Sequence, residues 1–226
     1  MAFDQSALNR FIIDNDVVGF FPEGRKLKSG RLSYWYANCR NLGATAGRID
    51  RTATFLVEFL QARAIDCDYV YGVPAGVTGL ATVVNYKRGM AGNPDHPVVI
   101  GREKPKQHGD PRDRYFIGPV NRGDRVAVLE DVTTTGGSML DALDTLGEAG
   151  VEVVAVVSIV DRMEIRDDGR SVSECVRQKG STYHSMTDAG QLIPLAVERH
   201  RPDRELLLRF QQAYNQYAIE KIALVD

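Results

Sequence analysis

The alternation of apolar and polar positions divides the chain into helical stretches and strand-like runs. Residues 4–20 place Leu8, Phe11 and Ile12 at helical spacing, which predicts an N-terminal helix. Residues 26–42, KLKSGRLSYWYANCRNL, mix glycine, aromatics and arginine and predict short strands with a loop. Residues 48–64 carry Ile49, Ala53, Leu56, Val57 and Leu60 on one face, the stripe of an amphipathic helix. From there one pattern recurs: a short β-rich run ends in a glycine-rich or charged loop, and usually a helix follows. The runs lie at 69–73, 98–100, 126–129 and 152–160, with helices predicted at 76–89 and 137–149. This alternation predicts an α/β fold with a central parallel sheet flanked by helices, whose ligands bind at the carboxyl ends of the strands. A last helical stripe covers 203–218, through Leu206, Leu207, Phe210, Tyr214 and Tyr217, and Pro202 before Asp203 suits its start. The chain reads as one domain over 1–226. It has an N-terminal segment of about 1–45, an α/β core of about 46–184 and a C-terminal helical segment of about 185–226.

Composition narrows the class without changing this picture. Of 226 residues, 43% are hydrophobic and 26% charged, ordinary for a soluble globular protein. Lys and Arg number 28 against 30 Asp and Glu, a net charge of −2, which argues against bulk attraction to nucleic acid. The most apolar stretch, 151–160, is broken by Glu152 and Ser158 and falls short of the ~18–20 residues a membrane helix needs. The opening residues, MAFDQSALNR, lack the basic-then-apolar order of a secretory signal. The 3 cysteines, Cys39, Cys67 and Cys175, form no C-x-x-C pair and fit a reducing cytoplasm rather than a disulfide framework or zinc site. His96, His184 and His200 stand outside any motif and read as structural or exposed.

Residues 126–138, VAVLEDVTTTGGS, carry the most chemistry. An apolar strand runs into Glu130 and Asp131, then Val132, Thr133, Thr134, Thr135, Gly136, Gly137 and Ser138, before a helix. Gly136 and Gly137 permit turns other residues resist, and successive amides at a helix start form an anion site. The carboxylates suit ribose hydroxyls, or a magnesium ion bridging to the ligand. A sugar phosphate satisfies both halves; a plain strand–loop–helix junction capped by threonine is the alternative. The loop is neither a Walker A sequence nor G-x-G-x-x-G. The segment resembles the ribose-phosphate signature of type I phosphoribosyltransferases, which use 5-phosphoribosyl 1-diphosphate (PRPP).

Residues 101–125 form a connection long enough to act as a lid. Its first part, GREKPKQHGDPRDR, gathers Arg102, Lys104, Lys106, His108, Arg112 and Arg114, and could close over a polyanion or simply be a solvated charged loop. The stretch 102–109 resembles the catalytic loop of orotate phosphoribosyltransferases, with Glu103 where many members carry a lysine. The turn Leu27-Lys28-Ser29-Gly30-Arg31, followed by Ser33, Tyr34, Trp35 and Tyr36, offers a lysine and an aromatic platform, or else core aromatics and a surface turn. It resembles the N-terminal motif of the same family. Asp161 and Arg162 follow the most apolar strand; an arginine there can pair bidentately with a carboxylate, or merely begin a surface helix. The family carries a similar pair. Residues 72–76 resemble its diphosphate loop, with Gly76 and Val77 where many members have a lysine, so no lysine contact is predicted there.

The resemblance spans about residues 20–190 with the motifs in family order. It implies the type I phosphoribosyltransferase fold with a small N-terminal hood, and transfer of phosphoribose from PRPP to orotate in pyrimidine synthesis. It assigns Lys106, Arg102, His108 and Asp131 to catalysis. PRPP would be held by Lys28, Lys104, Glu130, Asp131, Val132, Thr133, Thr134, Thr135, Gly136, Gly137 and Ser138, and orotate by Tyr36, Thr134 and Arg162. Magnesium would be carried mainly by PRPP near Glu130 and Asp131, without a dedicated side-chain ligand set. A homodimer is implied, its 101–118 loop acting across the interface. The alternatives are a related enzyme for another nucleobase and a PRPP-sensing transcription regulator; the scant chain before the first motif and the net charge weigh against the regulator.

Overall fold

The computed structural model describes residues 2–104, 106–108 and 114–225. Helix α1 (Gln5–Asp14) starts at Asp4, whose carboxylate accepts from the Ala7 amide at 2.9 Å, and it buries Leu8, Ile12 and Ile13. It ends well short of residue 20. Asp16 turns the backbone left-handed (φ 50°), and the β-branched Val17 and Val18 lead into strand β1 (Val18–Lys26). The next strand, β2 (Leu32–Ala37), pairs with β1 antiparallel across the Lys28 turn. Past a 3-10 turn at Cys39–Gly43, Thr45 caps α2 (Ala46–Ala62).

The core follows as β3 (Tyr69–Gly72), α3 (Thr78–Met90), β4 (Ile100–Gly101), β5 (Phe116–Ile117), β6 (Arg125–Thr133), α4 (Gly137–Glu148), β7 (Glu152–Asp161), α5 (Val172–Gln178) and β8 (Thr182–Asp188). Helices α6 (Ala189–His200) and α7 (Arg204–Asn215) complete the order. A 4-stranded sheet runs β3-β6-β7-β8, every pair parallel. Helix α3 packs on β3, α4 on β6 and β7, and α5 and α6 on β8. Val126, Ala127, Val128 and Leu129 are fully buried, as expected for a strand at the centre of a covered parallel sheet.

Two further expectations are corrected. The run at 98–100 does not join the main sheet: β4 pairs antiparallel with β5, and Gly101 meets β3 through the Tyr71 side chain, whose hydroxyl occupies the space a Cβ would need there. Strand β8 crosses the boundary expected near 184, since Thr187 and Asp188 still pair with β7. Helix α6 lies within the helical segment expected over about 185–226, ahead of the stripe at 203–218; Pro194 lies inside it, a residue that removes one backbone donor and obscures its helical periodicity. No helix among the described residues is long and apolar enough to cross a membrane.

The C-terminal helices have a clear structural task. Phe210 packs edge-on to Phe20 (5.4 Å) and Tyr214 to Trp35 (6.4 Å), which seats the β1–β2 hairpin on α7. The Tyr214 hydroxyl donates to the Arg162 carbonyl at 2.9 Å, and the Ile165 amide donates to the Tyr217 carbonyl at 2.7 Å. Hairpin, C-terminal helix and the end of β7 therefore meet beside the carboxyl edge of the sheet.

Candidate active site

A two-lobed cleft opens at the carboxyl ends of β3, β6 and β7. Its lobes, of about 270 and 310 Å3, share Lys28, Glu130, Val132, Thr134 and Ser138. The period of two along β6 explains the selection. Glu130, Val132 and Thr134 reach both lobes, whereas Thr133 points into the core and its hydroxyl donates to Ser158 Oγ at 2.9 Å. The Thr133 side chain is thus withdrawn from the sugar-phosphate site to which the resemblance assigned it, because the strand continues through this position.

The first lobe is the phosphate loop. Gly136 caps α4 with φ 68°, and a Cβ there would lie 3.0 Å from Val172 Cγ1 and 3.1 Å from Met139 Cε. Glycine is therefore required both for the turn and for the close approach. Thr134, Thr135, Gly136, Gly137 and Ser138 line this lobe, at the helix terminus whose unpaired amides favour an anion. Lys28 reaches across from the hairpin, with Nζ 2.7 Å from Ser138 Oγ. Asp141, one turn into α4, also lines it; no motif marks this residue, and its helical spacing from Gly137 is the one sequence signal for it.

Glu130 and Asp131 stand between the lobes. Burial, reinforced by the neighbouring Asp131, pushes the Glu130 carboxyl up to about 8, against the opposing pull of Lys28. Asp131 Oδ1 accepts from the Val132 amide at 2.8 Å, and its other oxygen would lie 2.9 Å from a Cβ at Gly76. That contact gives the diphosphate-side loop a steric reason for glycine. Among the described residues no group of 3 or more His, Cys, Asp or Glu could cage a metal ion. Two adjacent carboxylates can still share an ion whose other ligands come from a bound sugar diphosphate.

The second lobe reaches Tyr36, Asn38, Arg40 and Arg162. Asn38 and Arg40 follow β2 without any motif to flag them. Arg162 is 2% exposed. Its Nε donates to Glu164 Oε1 at 2.8 Å, its Nη2 donates to Ser33 Oγ at 2.9 Å, and its guanidinium lies 4.3 Å from the Trp35 ring. The Nε side of the guanidinium is thereby engaged, while Nη1, which makes no hydrogen bond among the described residues, and the second N–H of Nη2 stay available for a carboxylate. Glu164 also accepts from Arg31 Nη1 at 3.0 Å, and Arg31 itself donates to the Ile165 carbonyl and to Asp167. Arg31, Glu164 and Arg162 form a buried trio.

The lid lies elsewhere. The Arg102 amide donates to the Tyr115 carbonyl (2.9 Å) and the Lys106 amide to the Arg114 carbonyl (2.8 Å), extending the β4–β5 pairing outward as an arm. Lys104, Lys106 and His108 are exposed, and neither they nor Arg102 line either lobe. Arg112 lies outside the described residues. Among the described residues, then, none of the arm's cations lines the cleft of its own chain.

Comparison with known proteins places this arrangement. No family model matches the chain. The orotate phosphoribosyltransferase of Pyrococcus furiosus is 37% identical over 170 residues, covering 75% of this chain and 86% of that protein. Among solved structures, the orotate phosphoribosyltransferase of Francisella tularensis superposes with a TM-score of 0.69 at 19% identity, over 92% of this chain and 94% of that one. The UMP synthase of Leishmania donovani gives 0.73 at 22% identity over 93% of this chain, which spans 42% of that longer protein. The structural likenesses speak for the type I phosphoribosyltransferase fold. With the sequence relationship they lead to one conclusion: the chain belongs to the orotate phosphoribosyltransferase family.

Proposed function

We propose that the chain transfers the phosphoribosyl group of PRPP to orotate, giving orotidine 5′-monophosphate and diphosphate in pyrimidine synthesis. The observation that carries this reading is the continuous cleft with a phosphate loop at one end, paired carboxylates in the middle and a buried arginine at the other. Amides of the loop at 134–138 and Lys28 bind the 5′-phosphate. Glu130 and Asp131 hold the ribose hydroxyls. Arg162 Nη1 meets the orotate carboxylate, with Tyr36 beside the ring. The orotate nitrogen attacks the anomeric carbon as the diphosphate leaves, so negative charge grows on the departing oxygens. Lys106, assisted by Arg102, Lys104 and His108, stabilises that charge and excludes water when the arm closes. Glu130 and Asp131 are the residues that would lie beside a magnesium ion carried by PRPP, which would add to the neutralisation of the diphosphate.

The arm belongs to the partner's cleft in this reading, and the chain acts as a homodimer in the cytoplasm. An apolar patch supports the dimer: Tyr86 and Met90, one turn apart on α3, are exposed, as are Val98 and Ile117 at the adjoining β4–β5 pair. The free, buried cysteines support a reducing compartment. The direct test follows orotate absorbance with PRPP and magnesium, beside adenine, hypoxanthine and uracil. Consumption of orotate alone is expected; turnover of a purine instead would overturn the assignment.

A further inference from the structure

The segment behind the phosphate loop carries a charged residue that the mechanism above does not use. Arg166 lies in the turn after β7, where its amide donates to the Arg170 carbonyl (3.0 Å) and its carbonyl accepts from the Gly169 amide (3.0 Å). Asp168 steadies it by accepting from its Nε at 3.4 Å while also accepting from Arg170 Nη2 at 2.6 Å. From this frame Arg166 Nη1 donates to the backbone carbonyl of Thr135. Arg166 does not line the phosphate lobe, whereas Thr135, Gly136 and Gly137 do.

We infer that Arg166 is a positioning residue for PRPP, acting through the Thr135–Gly136 peptide; the inference rests on the phosphoribosyl-transfer reading above. In a trans peptide the carbonyl and the next amide point in opposite directions. A donor that captures the Thr135 carbonyl from outside the lobe therefore fixes which way the Gly136 amide faces, and it polarises the peptide so that this amide becomes a stronger donor. The need is physical. Gly136 is in the left-handed region, and a glycine there is free to leave that conformation unless it is held. Val172 supplies an independent contact from the same segment, since its side chain abuts Gly136 closely enough to exclude a Cβ. The stretch 166–172 is thus the back wall of the loop, and Arg166 is its polar contact.

The experiment measures ribose 5-phosphate binding by calorimetry alongside steady-state kinetics, for the intact chain and for Arg166→Ala and Arg166→Lys. Arg166 is only partly buried, so both variants should fold with unchanged melting temperature. Arg166→Ala should weaken ribose 5-phosphate about tenfold and raise the KM for PRPP comparably, the loss expected for one charge-assisted hydrogen bond. The KM for orotate should not move. Arg166→Lys should recover part of the loss. The effect should persist in high salt, where attraction across solvent is screened. Unchanged ribose 5-phosphate affinity in Arg166→Ala, a loss that salt abolishes, or an equal rise in the orotate KM would each overturn the positioning role. Failure of the intact chain to consume orotate, with ribose 5-phosphate binding still sensitive to Arg166, would count against the choice of base and leave this role standing.

Discussion

At the scale of single residues, the cleft is defined by side chains held away from their ordinary state. Glu130 is the clearest. Burial, with Asp131 beside it, pushes its carboxyl from an ordinary value of 4.5 up to about 8. Below 4.5 folded and unfolded chains both hold the proton and the full stability is present; between those values the unfolded chain ionises first, so stability falls as pH rises through the interval. Denaturant titrations across that range should show this decline in the ligand-free protein, and Glu130→Gln should flatten it. Asp161, also raised by burial, adds a slope of the same sign in both proteins, so the difference between them isolates Glu130. Lys106 is a different case, exposed and absent from the lining of either lobe. Lys106→Ala should lower kcat by ~10²–10³ with the melting temperature unchanged, and near-normal turnover at saturating substrates would remove it from catalysis.

At the scale of elements, the phosphate loop and the hood are each set by a few contacts. Gly136→Ala would force a Cβ against Val172 and Met139 in a left-handed turn, so a loss of about 1–2 kcal/mol in unfolding free energy is expected, together with a raised KM for PRPP. Phe210→Ala would empty the joint between α7 and β1 at a cost of about 3–5 kcal/mol, read by chemical denaturation. Tyr214→Phe would remove only the hydrogen bond to the Arg162 carbonyl, costing about 1 kcal/mol and raising the KM for orotate more than that for PRPP. What could be read from sequence follows the same division. The loop at 130–138 was legible because its glycines, hydroxyls and acids are contiguous, and β6 and β7 because parallel core strands are uniformly apolar. The Thr133 side chain was misjudged because a motif does not say where the strand's alternation ends. The Ser33 partner of Arg162 is not legible in sequence either: it lies 129 positions away, and only folding brings it within reach. Helix α7 was recognised by its stripe, but its partners Phe20 and Trp35 sit at the other end of the chain.

For the whole molecule, a net charge of −2 conceals a separation of charge along the chain: cations gather from Arg102 to His108, and acids at Glu130 and Asp131 in the cleft lining. That the described arm residues line neither lobe gives a test of assembly. Coexpressing Lys106→Ala with Asp131→Asn should restore activity, because a mixed dimer joins one intact arm to one intact cleft; if each arm served its own chain, no gain would appear. The buried trio of Arg31, Glu164 and Arg162 bears on how such a protein can change its substrate. An arginine standing alone at the base lobe could be exchanged in one step for a residue suited to an uncharged base. Here its loss would leave Glu164 Oε1 and Ser33 Oγ buried without that donor, while Arg31 still balances the Glu164 charge, a defect of about 1–3 kcal/mol. Preference for an acidic base is consequently tied to the fold's own integrity, and a lineage or a designer seeking a neutral substrate must alter hairpin and sheet edge together.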